Sequence, residues 1–162
     1  MSVTLDIQQP QPFDLVGSSI LIAGNAAAFE GTLSIRVSEG HDEYSSFTQV
    51  GALGLKQFQA SIEIPANNSF QLNRLFLTLS DDTGNANGPS VVVPVLFGPK
   101  VLSGYTGWQP YTVKPGDTLT RIAQDQYGTS VYQPIFEANR HILNDPNVIF
   151  PGQVLRIPRK DI

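Results

Sequence analysis

The feature that most constrains the fold is the run of strand, turn and helix signals that begins at residue 111. Tyr111-Thr112-Val113 predicts a short strand, and Pro115-Gly116 predicts a sharp turn directly after it. Asp117 or Thr118 then stands where a side chain can cap the first turn of a helix. A strand that ends so close to a helix start predicts a small domain of mixed secondary structure.

Two helices are predicted after this turn. Leu119, Ile122 and Ala123 follow the i, i+3, i+4 spacing of one buried stripe, and Gly128 suits a left-handed residue at the helix end. Pro134 suits the first turn of a second helix, which continues to residue 138. The chain then returns in a predicted strand at residues 154–157, so the order is strand, helix, helix, strand.

The identity and spacing of particular residues in this segment also follow a known pattern. The matching positions are Gly116-Asp117-Thr118-Leu119, Ile122-Ala123, Tyr127-Gly128, Asn139, Ile149, Pro151-Gly152-Gln153, Leu155 and Ile157-Pro158. With these residues the segment resembles a LysM domain. The resemblance implies a small α+β domain of βααβ order, which we place at residues 111–160.

The resemblance also implies where a ligand would bind. In glycan-binding LysM domains, N-acetyl groups lie in a shallow groove between the strand-to-helix turn and the loop before the last strand. The corresponding residues here are Gly116, Asp117, Thr118 and Leu119 on one wall, and Val148, Ile149, Phe150, Pro151 and Gly152 on the other. Exposed amides beside an apolar lip would suit an acetamido group.

A structural role explains the same residues equally well. Gly116 and Gly152 can set turns, Asp117 can cap a helix, and Leu119 and Ile149 can fill a small core. The long connection at residues 140–147 resembles the LysM subtype of cytoplasmic proteins and of phage-tail and injection-machine components. Whether the groove binds glycan or protein stays open at this point.

The first part of the chain has the alternation of short antiparallel strands. Its apolar runs are broken by Gly, Asn, Asp and Pro, and they predict strands at residues 3–8, 18–23, 31–37, 46–50, 56–64, 72–79 and 90–96. Phe58, Ala60, Ile62 and Ile64 show the clearest period of two, with polar residues between them. This number of strands is typical of a small β-sandwich.

A second resemblance covers this part of the chain. Leu5-Asp6-Ile7 with Pro10, Gly24 with Ala26, Phe29-Glu30-Gly31, Phe58 and Asp82-Thr83-Gly84 match the pattern of its family. They resemble the immunoglobulin-like domain of bacterial spore-germination proteins. The resemblance implies an all-β immunoglobulin-like sandwich used for adhesion or docking, which we place at residues 1–98. The connection at residues 81–88 predicts a hairpin turn, with a calcium loop as the alternative.

Residues 99–110 predict a linker between the two domains, because Gly and Pro interrupt them and no periodicity is visible. Val101, Leu102, Tyr105 and Trp108 make this segment too apolar for a free tether. We expect these side chains to pack on one or both domains. The alternative is that Trp108 is an exposed anchor for a partner.

Composition excludes several classes of function. The chain has no cysteine, so it has neither disulfides nor a thiolate metal site. Its net charge of -4, with the acidic excess in the first part, predicts no nucleic-acid partner. The N-terminus lacks a signal-peptide pattern, and no segment reaches the ~20 apolar residues of a membrane span. These features predict assembly in the cytoplasm, either as a free protein or as part of a particle that is later released or fired.

No catalytic constellation is recognisable. The chain has neither a Gly-x-Ser-x-Gly nor a His-Glu-x-x-His motif. His41 lies in a charged turn and His141 follows the second helix, where capping is the simpler role. We therefore predict a protein that is not an enzyme and that needs no cofactor or metal.

Three binding functions are considered, and the first is our main prediction. It is a LysM adaptor in a contractile injection system or phage-tail-like particle, with baseplate, hub, spike or tube proteins as partners, and the next two are its alternatives. The second is a cell-envelope protein that binds peptidoglycan. The third is a cytoplasmic sensor of a small ligand or cation.

Overall fold

The computed structural model describes residues 5–28, 30–51, 54–81 and 88–161. The chain forms two compact units, Met1–Phe97 and Gly98–Ile162. Phe29 and residues 82–84, which contribute to the second resemblance, lie outside the described residues. The same is true of residues 82–87 of the connection for which hairpin and calcium loop were the alternatives.

The described residues of the first unit form eight strands in two sheets. The strands are β1 (Leu5–Gln9), β2 (Leu15–Val16), β3 (Ser19–Ala26), β4 (Thr32–Ser38), β5 (Glu43–Gln49), β6 (Lys56–Glu63), β7 (Arg74–Ser80) and β8 (Ser90–Phe97). One sheet has the order β1-β3-β6, and the other has the order β2-β8-β7-β4-β5. All pairs are antiparallel except β2 with β8.

Alternating side chains of the two sheets build one core. In the smaller sheet, Ile20 lies opposite Ile62 in β6, and both are buried. In the larger sheet, Ile35 lies opposite Leu79 and is buried with it. Phe70, also buried, makes edge-to-face contacts with the rings of Tyr44 and Phe97, at centroid distances of 5.3 and 6.0 Å. The predicted sandwich is confirmed.

The sequence periodicity located most of these strands within a few residues. Phe58, Ile62 and Ile64 are buried as predicted, while the intervening Gln59 and Ser61 face solvent. Strand β2 was missed, because two residues are too few to show a period of two.

In the second unit, residues 98–161 form two strands and three helices. Its elements are α1 (Gly98–Val101), β9 (Tyr105–Thr112), α2 (Leu119–Tyr127), α3 (Gln133–Ala138) and β10 (Val154–Lys160). β9 and β10 pair antiparallel. Leu119, Ile122 and Ala123 of α2 are buried, and Gly128 ends this helix in the left-handed conformation with φ 70°. The predicted order strand, helix, helix, strand is confirmed.

Residues 99–110 are not a linker. They contribute α1 and the first six residues of β9, and Trp108 lies opposite Pro158 in β10. The strand was missed because both of its faces mix apolar and polar residues: Tyr105 and Gln109 lie on one face, and Thr106 and Trp108 on the other. Alternation of residue type therefore could not reveal it.

The apolar residues of the supposed linker are only partly buried. Val101, Leu102 and Tyr105 are half-buried, whereas Trp108 keeps 44% of its surface exposed. The Arg156 guanidinium lies 5.6 Å from the centre of the Trp108 ring. Burial raises the pKa of Tyr105 to about 12.

Asn139 joins α3 to the last strand. Its side-chain amide donates to the carbonyl oxygens of Ile135, at 2.7 Å, and Arg156, at 2.8 Å. Its side-chain oxygen accepts a hydrogen bond of 2.8 Å from the Arg156 amide. The Asn139 side chain is completely buried, so its own polar atoms depend on these three bonds.

Candidate functional site

Two loops meet where the two-stranded sheet of the second unit ends. One is the turn between β9 and α2, and the other precedes β10. The amide of Val113 donates to the Gln153 carbonyl, and the Val113 carbonyl accepts from Gly152, both at 2.8 Å. These bonds bring the two walls of the predicted groove together, although the residues are far apart in the chain.

The first wall is a tight turn held by Asp117. Gly116 has φ 84°, a conformation that favours glycine. The Asp117 carboxylate accepts hydrogen bonds from the Lys114 amide and the Tyr111 hydroxyl, each 2.8 Å long. These two donors lower the pKa of Asp117, with the Lys114 amide as the larger cause. In return, the bond to Asp117 raises the pKa of Tyr111.

Thr118 is the residue that caps α2. Its backbone is extended, and its hydroxyl oxygen accepts from the Arg121 amide at 3.1 Å. Of the two predicted capping residues, Asp117 instead closes the turn. The next residue, Leu119, is buried in the core of the unit. The cap and the turn together fix where the helix begins.

The second wall is a loop with its own internal hydrogen bonds. The Asp145 carboxylate accepts from the Asn147 amide at 2.8 Å, and the Gln153 side chain accepts from the Phe150 amide at 3.2 Å. Ile149 packs against the core, while the side chains of Val148 and Phe150 remain 48% and 63% exposed. The loop therefore presents apolar side chains to solvent on a fixed backbone.

A small cavity of about 110 Å³, here called the loop cavity, lies between the two walls. It is lined by Asp117, Thr118, Leu119, Thr120, Tyr132, Pro146, Asn147 and Ile149. Hydroxyl and amide groups stand on its walls beside aliphatic side chains and one aromatic ring. A cavity of this size holds several water molecules or a small group such as an acetamido group.

The loop cavity contains part of the predicted groove. Asp117, Thr118, Leu119 and Ile149 line it. Gly116, Val148, Phe150, Pro151 and Gly152 belong to the same two loops but are not among its lining residues. Gly152, with φ 88°, serves the turn before β10, and Pro151 is exposed.

Four lining residues were missed in the sequence. Thr120 belongs to the first turn of α2, Tyr132 precedes α3, and Pro146 and Asn147 lie in the long connection. Asp145-Pro146-Asn147 is a turn signal that could have been noticed, because Asp commonly bonds a backbone amide two residues later. No local signal placed Tyr132 here, since its position depends on how α3 packs.

Comparison with known proteins agrees with both resemblances. Residues 111–158 match the family model of the LysM domain. Residues 4–85 match the model described as the immunoglobulin-like domain of bacterial spore germination.

Three relatives illustrate the range of similar proteins. The chain is 50% identical over 62 residues to Potassium binding protein Kbp of Escherichia coli, which covers 38% of this chain and 42% of that protein. It is 49% identical over 49 residues to Secreted LysM effector Mgx1LysM of Zymoseptoria tritici, covering 30% and 50% of the two chains. An uncharacterized protein of Deinococcus radiodurans is 48% identical over 54 residues, covering 33% and 21%. The chain thus spans half or less of each relative.

Proposed function

The chain belongs to the family of the immunoglobulin-like domain of bacterial spore germination and carries a LysM domain after it, and from this premise we propose that it binds glycans containing N-acetylglucosamine. LysM domains are typically non-catalytic binding domains, and a binding role agrees with the match at residues 111–158. Peptidoglycan and chitin-type chains are the glycans of this class.

The loop cavity is the observation that carries the proposal. An acetamido group has a methyl group, an N–H donor and a carbonyl acceptor. Leu119 and Ile149 offer apolar contact for the methyl group. Thr118, Thr120 and Asn147 offer hydroxyl and amide groups for the polar atoms.

The cavity is also held in shape without a ligand. Asp117 closes the turn on one side, the Asp145 bond orders the loop on the other, and the Val113 bonds join them. Because these bonds are already made, little conformational entropy is lost when a ligand binds. The exposed Val148 and Phe150 then extend the apolar surface beside the cavity.

The substitution Thr120→Arg tests this site. Thr120 is an exposed residue of α2 whose side chain lines the cavity, so arginine fills the cavity at a position where it favours the helix. We expect titration with an N-acetylglucosamine oligosaccharide to show that the affinity falls by a factor of about ten or more. This corresponds to a loss of binding free energy of about 1.4 kcal/mol or more.

A matched control is available on the same helix. Gln124→Arg introduces the same side chain at an exposed position of α2 that does not line the loop cavity. This control should bind the oligosaccharide like the unmodified protein and should sediment with purified peptidoglycan. Equal affinities for the two variants, with both folded by circular dichroism, would refute the proposed site.

Potassium binding is a second candidate, and the similarity to Kbp is the observation that favours it. That protein is named for potassium, and the chain spans 42% of it. Across the described residues, no three His, Asp or Glu side chains come together in a group that could hold a metal ion. Titration with KCl against NaCl at equal ionic strength tests the idea.

The adaptor of a contractile injection system, assembled in the cytoplasm, stays a prediction. It depends on the resemblance of the connection at residues 140–147, and none of the three relatives named above adds support. Its test is purification of the native protein with its partners. Co-purification with sheath, tube or baseplate proteins, without sedimentation on peptidoglycan, would favour it over glycan binding.

A separate finding concerns membranes. Within the part of the chain that the structure describes, no helix is both long enough and apolar enough to cross a bilayer.

A further inference from the structure

A second cavity of the LysM unit lies at the other end of α2. It has a volume of about 580 Å³, against about 110 Å³ for the loop cavity. We call it the distal cavity, and its lining residues are Gln126, Tyr127, Ile157, Pro158, Arg159, Lys160 and Asp161. No residue of the LysM motif groove lies in it.

The walls of the distal cavity are fixed by hydrogen bonds. The Tyr127 hydroxyl donates to the Pro158 carbonyl at 2.9 Å, and burial raises the pKa of Tyr127 to about 12. The Tyr127 side chain is therefore uncharged at physiological pH. The Gln109 side chain donates to the Gln126 side chain at 2.9 Å and accepts from the Arg159 guanidinium at 2.5 Å. These bonds join the two sides of the cavity.

The charge of the cavity favours an anion. Arg159 and Lys160 bring two positive charges, and Asp161 brings one negative charge. In the described part of the chain, neither cation takes part in a salt bridge. Both side chains are exposed, so they can reach a ligand, while the half-buried Tyr127 offers apolar contact beside them.

The distance between the two cavities suggests how one ligand could use both. Leu119 lines the loop cavity and Tyr127 lines the distal cavity, and the eight residues between them correspond to a rise of about 12 Å along the axis of α2, which sets the scale of the separation. An extended peptide spans this distance with about four residues. Peptidoglycan differs from chitin-type glycan in carrying such short peptides, which end in carboxylates.

We propose that the distal cavity binds the carboxylate of a short peptide attached to the glycan held at the loop cavity. This inference depends on the proposed glycan binding and makes it more specific. The protein would then prefer peptide-bearing peptidoglycan over a bare chain of N-acetylglucosamine. Lys160 and Arg159 would contact the carboxylate, and Tyr127 would contact the apolar part of the peptide.

Calorimetric titration of the full chain with three ligands tests the proposal. The ligands are a bare N-acetylglucosamine oligosaccharide, a peptidoglycan fragment of equal glycan length that carries its peptides, and the free peptide. We expect the peptide-bearing fragment to bind about fivefold more tightly than the bare oligosaccharide. The free peptide alone should bind far more weakly than the fragment, because it lacks the glycan contact.

The substitution Lys160→Gln should remove most of this preference and leave the affinity for the bare oligosaccharide unchanged. It keeps the bond from Arg159 to Gln109, so the wall of the cavity stays in place. Lys100→Gln is the matched control, since it removes an exposed lysine of the same unit that lines neither cavity. The control should keep the full preference.

The possible failures are distinguishable. Equal affinity for bare and peptide-bearing glycans, or an equal loss of both in Lys160→Gln, overturns the peptide site and leaves glycan binding standing. If neither glycan binds, both proposals fail. Binding of the free peptide as tightly as the fragment would show an isolated anion site and would overturn the link between the two cavities.

Discussion

Replacing Asn139 by alanine should lower the free energy of unfolding of the second unit by several kcal/mol. The side chain makes three buried hydrogen bonds, two as donor and one as acceptor. Truncation leaves the Arg156 amide, the Arg156 carbonyl and the Ile135 carbonyl without these partners. A net loss of about 1 kcal/mol for each bond, and more for an amide left unsatisfied, gives a total of about 3–5 kcal/mol.

This loss is large compared with the stability available to the unit. The unit spans Gly98–Ile162. At about 0.05–0.15 kcal/mol per residue, a domain of about 65 residues has a free energy of unfolding of about 3–10 kcal/mol. Removing 3–5 kcal/mol therefore brings the lower part of this range to zero. The first unit has a separate core, so its strands should persist.

The assay is urea unfolding followed by tryptophan fluorescence. Trp108 is the single tryptophan of the chain and lies in β9, so its emission reports on the second unit alone. Asn144→Ala, at an exposed asparagine of the same unit, should change the midpoint little. A loss below about 1 kcal/mol for Asn139→Ala would refute the argument from buried hydrogen bonds.

A second substitution separates the donor role from the shape of the side chain. Asn139→Asp keeps the size and the acceptor but turns the two donated bonds into contacts between a carboxylate and two carbonyl oxygens. A buried carboxylate that faces two carbonyl oxygens is strongly unfavourable, so the loss near neutral pH should exceed that of the alanine variant. A smaller loss than for alanine would show that the amide donors contribute little.

Two further predictions concern carboxylates. The pKa of Asp117 is lowered in the folded state, so its stabilisation is present above the unfolded pKa of about 4 and disappears as the pH falls through the folded pKa. The thermal midpoint of the protein should therefore exceed that of Asp117→Asn at neutral pH, and the difference should shrink below about pH 4; a difference that grows on acidification would contradict this. Glu39, buried in the first unit, accepts from the amides of Gln71 at 2.7 Å and Leu72 at 2.6 Å. Glu39→Gln should lower the free energy of unfolding of the sandwich by about 1–2 kcal/mol. This loss is measured by unfolding followed through the β-sheet signal in circular dichroism. No measurable change would show that water replaces these bonds.

Most strands and both longer helices could be predicted because their signals are local. In β6 and the residue that follows it, alternate side chains reach the core. Phe58, Ile62 and Ile64 show this alternation in the sequence. In α2, the apolar stripe, the cap at Thr118 and the end at Gly128 all lie within one short segment. Each of these features depends on neighbours a few residues away.

The beginning of β9 could not be predicted for the opposite reason. It is a strand because it pairs with β10, more than forty residues later, and its own residues show no alternation of type. The same limit applies to the site. The motif located Asp117, Thr118, Leu119 and Ile149, but Tyr132 reaches the loop cavity only because α3 packs across the core.

The sequence alone determined the class of fold, the strand, helix, helix, strand order of the LysM domain and the two loops of its predicted groove, because periodicity, caps and turns act over short distances along the chain. The tertiary structure decided which residues line the loop cavity, that residues 105–110 form a strand, and that a charged cavity lies at the far end of α2. These features arise from contacts between segments distant in sequence. Such contacts form only when the chain has folded, so no single segment carries a signal for them.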